Sequence, residues 1–194
     1  MKSVLVGLLL ALVALSSRGQ DLDKPLLLVA AHQLQGPYRH TAVLVVPLRG
    51  QHVGFILNRA TAMTMGELFP EHPPSAKVTD PVYLGGPESV NAIFAMVAHD
   101  PGDGAVHLFG DVFVTAQANI VDRIIEQTPN DARYFAGFVD WEPGELADEL
   151  TKGWWYAVEP DTEVVFGKHP ESLWETLVER LGKRPPPAEG MQAT

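Results

Sequence analysis

Seven histidines, the pair Asn58-Arg59 and the triplet Asp140-Trp141-Glu142 are where this 194-residue chain carries groups able to move protons, grip a carboxylate or hold a metal. His99, Asp103 and His107 fall at intervals of four, the spacing of ligands on one helix face, but Pro101 and Gly102 between them bar a helix. A β-hairpin turning at Asp100–Gly104 is the alternative. It would set His99 opposite His107, as metal ligands or as ordinary polar residues at strand ends. His32 and His40 bracket the first loop and, with Arg59, could converge on a cleft at the ends of the first strands, which is the one enzymatic reading on offer. Arg59 closes an apolar run and can fork onto a carboxylate, either a ligand's or one of this acidic protein's own. Asp140-Trp141-Glu142, at a strand-to-helix junction, offers an aromatic wall beside carboxylates; helix capping and core packing account for the same residues.

Around these groups the usual catalytic frames are missing. The chain has no G-x-S-x-G elbow, no phosphate loop, no dinucleotide fingerprint and no H-E-x-x-H. Beyond residue 19 serine occurs only at Ser75, Ser89 and Ser172, in loops or at a helix start, a poor supply of nucleophiles. Cysteine is absent, which removes disulfides, thiolate chemistry and Cys-ligated zinc. The expectation is therefore no cofactor, no metal and no assigned catalytic residue.

Lys2, the uncharged apolar run Val4–Leu15 and the small residues Ser16-Ser17-Arg18-Gly19 form the pattern of a secretory signal. The run is shorter than the roughly twenty residues a membrane-spanning helix needs. The expected layout is a signal peptide over 1–19, one domain over 20–182 and a disordered, proline-containing tail over 183–194. That layout makes the protein exported, periplasmic or secreted, with no transmembrane span once the signal is removed. The formal charge of the whole chain is −10, and without residues 1–19 it would carry 12 basic against 24 acidic side chains. Such a surface repels phosphate backbones, and no basic run gathers the few cations, so a nucleic-acid partner is not expected and direct DNA binding ranks last. The partner expected is an unknown protein or small molecule.

The elements that must position these groups are legible in the hydrophobic pattern. Leu26–Ala31, Thr41–Val46 and Val53–Leu57 read as buried strands, the last two joined by a turn at Arg49-Gly50-Gln51. Thr64 and Glu67 make a capping box for a short helix that Pro70 stops. Val82–Leu84, Ile93–Ala98, Ala105–Phe109, Arg133–Val139 and Trp154–Val158 read as further strands, about eight in all. Helices follow Thr115, with Ile120, Val121, Ile124 and Ile125 on one side, then Pro143, and then Pro170 as far as Leu181. Hairpins early and helices late indicate a mixed α/β, or α+β, single domain.

Several blocks taken in order resemble the AlgH/YqgE family. They are Leu28–Ala31 leading to Gln35-Gly36-Pro37-Tyr38-Arg39-His40-Thr41, then Val53–Arg59, then Val82–Leu84 with Gly85-Gly86-Pro87, and lastly Ala136–Leu146 with Glu149-Leu150. His32, Gly36, Ala60 and Asp140 depart from that family's usual residues. The resemblance implies a bifurcated β-sheet or small barrel flanked by helices. It implies a regulatory or binding role with no established catalytic residues, in a family typically cytoplasmic. The motif positions it brings forward are His40, Thr41, Asn58, Arg59, Gly85, Gly86, Asp140 and Trp141.

Overall fold

Glycine sets where the sheet divides. The structure, a computed structural model, describes residues 21–182, so the expected signal peptide and tail lie outside the described residues. The strands are β1 (Leu26–Ala30), β2 (Ala42–Leu48), β3 (Gln51–Ile56) and β4 (Ala60–Thr64), followed by the helix α1 (Met65–Leu68). Next come β5 (Pro81–Leu84), β6 (Glu88–Val97), β7 (Val106–Phe109), β8 (Val112–Thr115) and α2 (Ala118–Gln127). The chain continues through β9 (Ala132–Trp141), α3 (Glu145–Thr151), β10 (Trp155–Val158), α4 (Thr162–Val165) and α5 (Leu173–Gly182). The order along the sheet is β10-β1-β2-β3-β9-β6-β8-β7, with β5 branching off to pair with β4 and, in parallel, with β9. All other pairs are antiparallel, and the sheet curls into a half-barrel.

β9 belongs to both halves. Its start, Ala132–Ala136, pairs with β6, while Val139–Trp141 pairs with β3. Between them lies Gly137, at φ +72°, where the backbone of Gly85-Gly86 crosses. A methyl group on Gly85 would sit 2.2 Å from the Gly137 carbonyl oxygen, and one on Gly86 would sit 2.1 Å from the Phe138 carbonyl carbon, so only glycine lets the strands pass. The crossing is also bonded: Gly85 N–H donates to Ala136 O, and Ile56 N–H donates to Gly85 O.

Alternation along β9 builds two cores. Phe135, Val139 and Trp141 face the inside of the curl with Leu28, Leu44, Phe55, Leu177 and the rest of the main core. Ala132 and Tyr134 face the opposite way, onto Ile120, Val121, Ile124 and Ile125 of α2 and Met65 of α1. Each of these large aliphatic side chains contributes about 1.5–3 kcal/mol when fully buried. The helix face read from the sequence is thus the one that packs, and the α1 capping box forms as expected: Glu67 N–H donates to Thr64 Oγ1 and Thr64 N–H donates to Glu67 Oε2.

One expected pairing does not form. The Asp100–Gly104 loop joins β6 to β7, yet these strands are not neighbours, because β8 lies between them. The reason is a tighter turn downstream: Phe109 pairs with Val112 across Gly110-Asp111, so β7 folds back on β8 and β8 takes the place beside β6. His99 and His107 therefore do not face one another. The short strands β4 and β8 bring the described strands to ten, above the eight or so expected, and α4 is a helix the sequence pattern did not mark.

Gly86→Ala is expected to lower stability by about 4 kcal/mol or more, or to abolish folding, because the methyl meets backbone on β9. Gly50→Ala, at φ +86° with open space around it, is expected to cost only about 1–2 kcal/mol. Urea denaturation of the two variants measures the contrast, and equal losses would remove the crossing from its central role.

Candidate functional site

The motif positions gather along one seam. Asn58 lies just beyond β3, where its side chain stands in for a strand: Oδ1 accepts from Ala42 N–H at 2.9 Å and Nδ2 donates to His40 O at 2.9 Å. That clamp holds His40 in the left-handed region at φ +57°. Thr41 is buried and donates its hydroxyl to Tyr38 O. Gly85 and Gly86 form the crossing already described. Trp141 is buried, its Nε1–H donating to Glu149 Oε2 at 2.9 Å, and Trp155 donates to the same oxygen at 2.7 Å. The aromatic wall read at Asp140-Trp141-Glu142 is thus part of the core, with only the carboxylates exposed.

Other sequence candidates disperse. His32 and His40 meet at Trp174 of α5, His40 stacked at 4.0 Å between ring centres and His32 edge-on at 5.1 Å. Arg59 sits in the β3–β4 connection, its carbonyl accepting from Leu84 N–H, and it forms no ion pair among the described residues. None of the three lines the cleft at Arg133 or the cavities beside Met65, Asn119 and Leu177. His107 bonds to Gly110 O and packs on Phe113, and no group of three metal-ligating side chains occurs among the described residues.

Ser75, placed in a loop from the sequence, is a fully buried residue in a turn of 3-10 helix over Pro73–Lys77. Its hydroxyl lies 2.9 Å from His72 Nδ1, and His72 Nε2 lies 3.9 Å from Glu126 Oε1. The residue types are those of a hydrolytic triad. The burial of the hydroxyl, three residues from its base in a single turn, makes the pair a fastening between this turn and α2 instead.

A sizeable cavity opens elsewhere, an open cleft of about 890 Å³ between β5, the start of β9 and α4. At its base lies Arg133, a residue that the sequence pattern places inside an apolar strand. Arg133 is 5% exposed and sits at the end of the inward face of β9. Its Nη1 donates to Val165 O at 2.5 Å, its Nη2 donates to Gly167 O, and its guanidinium lies 5.3 Å over the Tyr83 ring. The Val165 carbonyl is one that the end of α4 leaves without a helical partner and Gly167 lies two residues beyond it, so the cation caps the helix and ties down the chain that leaves it. Burial pushes the Arg133 pKa down, partly offset by Tyr83 and Asp80. Asp80, Asp131, Glu163, Glu171, Lys168 and His99 stand on the rim. The one signal available beforehand was a lone charge inside the run Ala132–Val139.

Fold and site together define an α+β half-barrel whose sheet splits at a glycine crossing, with a polar cleft where α4 closes against it. Comparison identifies the family: residues 27–186 match the AlgH-like family, DUF179, and the chain belongs to it. A UPF0301 protein of Streptomyces coelicolor is 32% identical over 163 residues, covering 79% of this chain and 84% of that protein. One of Chlorobium limicola is 29% identical over 162 residues, covering 81% and 85%. The solution structure of the AlgH protein from Pseudomonas aeruginosa shares the fold with a TM-score of 0.68 at 20% identity, over 84% of this chain and 90% of that one.

Two measurements test the side-chain arrangement. Arg133→Met leaves two buried carbonyls unpaired and is expected to cost about 2–4 kcal/mol in urea, with Arg133→Lys recovering part of it. Burial raises the phenol pKa of Tyr38, Tyr83 and Tyr134 above the ordinary value of 10.0. The unfolded chain therefore ionises first, so stability holds up to about pH 10 and falls as pH rises beyond it. Phenolate absorbance should rise together with unfolding, and free titration of all three tyrosines in the folded protein near pH 10 would contradict their burial.

Proposed function

We propose that this protein is a non-catalytic binding domain of the AlgH-like family, exported to the cell envelope by its first residues, with the Arg133 cleft as its ligand site. The observation that carries the reading is the state of the charge on the cleft floor. Arg133 is held by backbone carbonyls and an aromatic face, so its position does not depend on a ligand. A fixed cation at the base of an open polar cavity of about 890 Å³ suits recognition of a small polar molecule or a partner's side chain. Asp80, Asp131, Glu163 and Glu171 line the same cleft and would select for a ligand that also carries donors or positive charge. Export rests on the N-terminal pattern of a cation, an apolar run and small residues. A regulatory role follows if occupancy of the cleft is what a partner reads.

The test is an NMR titration with pools of small polar metabolites, following the amides of Tyr83, Ala132 and Gly167 and, in the same tube, the integrity of each compound. Shifts at these three amides with every compound unchanged is the expected result. Conversion of any compound would overturn the non-catalytic reading, and shifts confined to other regions would overturn the site. For export, the intact mass of the protein isolated from its native envelope fraction should lack the first residues; a mass including Met1 would reject processing.

A further inference from the structure

Strand β10 is an edge of the sheet, paired among the described residues only with β1. Trp154, just before it, and Tyr156, within it, stand in solvent at 37% and 44% exposure. Exposed edges of this kind template further pairing. Which backbone groups are free to pair follows from the register. Ala31 N–H donates to Trp154 O, so Trp154 and, by the two-residue alternation of an antiparallel ladder, Tyr156 and Val158 turn their backbone groups towards β1. Trp155 and Ala157 turn theirs outward. Two N–H and two C=O groups therefore point away from the sheet, without a partner among the described residues.

These groups are complementary to themselves. Two copies related by a two-fold axis at Tyr156 set Trp155 of one opposite Ala157 of the other, and each such pair exchanges two hydrogen bonds, so every free group is used. A register centred on Trp155 would call on Gly153, whose N–H already donates to Leu150 O and whose carbonyl already accepts from Gln33 Nε2. One centred on Ala157 would call on Glu159, beyond the end of the strand. With the axis at Tyr156, that ring meets its own copy and Trp154 lies opposite Val158, both in non-hydrogen-bonded pairs, where side chains approach most closely. Val158 borders a groove of about 330 Å³ between β10 and α5, which Leu27 and Val29 also line. The second copy's indole reaches the groove there. Lys152, 4.8 Å over the Trp154 ring, travels with that indole towards Glu159 and Asp161 in the groove wall. Arg180 shares the wall, so two carboxylates stand against one cation where the ammonium arrives.

We propose that β10 is the interface for a second copy of this chain: the two strands pair antiparallel about Tyr156, with Trp154 of each copy at the other's groove and Lys152 beside the other's Glu159 and Asp161. The two half-sheets then join into one. Because the contact is the same patch on both copies, the pairing uses up both β10 edges and stops at two. Strands of four residues bury less than a standard interface of roughly 1,600 Å², so the dimer is weak, with a Kd on the order of 10⁻⁴ M.

The test is sedimentation equilibrium of the full chain from about 10 µM to about 1 mM, with hydrogen exchange of the β10 amides at both ends of that range. The mass is expected to climb towards two copies. Exchange of the Trp155 and Ala157 amides should slow by about fivefold over the same range, while the Tyr156 and Val158 amides, committed to β1, keep their rates. Ala157→Pro removes an outward N–H and no bond to β1, and is expected to weaken the dimer by about tenfold. Lys152→Glu should weaken it by about fivefold, and Glu159→Lys added to that variant should restore it. The chain has no cysteine, so Tyr156→Cys can be linked only to its own copy. It should form a disulfide about tenfold faster than Trp154→Cys, because only Tyr156 sits on the axis. Should Ala157→Pro not fold, this comparison decides. A single-copy mass throughout, a dimer indifferent to Ala157→Pro, or equal rates of cross-linking would overturn the interface. So would slow exchange of Trp155 and Ala157 in a single-copy species, since another stretch of the same chain would then cover the edge.

Discussion

The close passage of two backbones, Gly85-Gly86 over Gly137-Phe138, is the constraint on which the rest of this molecule depends. Around that point the β6 ladder is interrupted, leaving only Glu88 opposite Phe138, and β9 takes up its pairing with β3, so one strand serves both halves of the curled sheet. Were the crossing wider, the Gly85 hydrogen bonds to Ala136 and Ile56 would be lost, and the two halves would no longer share a strand. The consequences spread along β9 in both directions. Towards its end, Trp141 reaches Glu149 and fixes α3; towards its start, Arg133 reaches the end of α4.

This explains why the residues that carry the family resemblance do so little that looks like chemistry. Asn58 replaces a strand partner, Thr41 ties down a loop, Trp141 buries its ring and donates inward, and the two glycines have no side chains at all. Asn58 and Thr41 meet a demand for partners from backbone groups left without a ladder, and an unpaired buried N–H or C=O is costly enough to fix residue type. Motif and cleft are thus separate here. The seam holds the two halves together, and the cleft lies where their geometry leaves space.

How much of this could be read beforehand follows from the range of the forces involved. Local signals were reliable: the α1 capping box, the α2 face of Ile120, Val121, Ile124 and Ile125, and the apolar runs that became β1 to β3 and β9. Pairing was not, because a turn at Asp100–Gly104 says only that the chain reverses and leaves its strand partner unspecified. The competing reversal at Gly110-Asp111 decided it, and β8 is too short to stand out before the helix. His32 and His40 bracket one loop in the sequence, but what they share in the structure is Trp174, more than 130 residues away in sequence. Arg133 illustrates the deepest limit. One charge in an apolar run is a visible anomaly, yet its partners are carbonyls, which every residue possesses and no sequence pattern marks.

That choice of partner also accounts for the electrostatics of the cleft. In a chain of net charge −10, a buried arginine without a carboxylate in contact is at first sight unexpected. A buried ion pair would strip water from two charges, and its attraction often fails to offset both penalties. The end of α4 offers an alternative, because its carbonyls lack helical partners and already point the negative end of their dipoles outward. One guanidinium satisfies them, stacks over Tyr83 and needs no counter-ion beside it. Asp80, Asp131, Glu163 and Glu171 are then left in solvent around the cleft. A positive floor beneath a mainly acidic rim is therefore a consequence of how a four-residue helix is ended, and any ligand entering the cleft meets that gradient of charge.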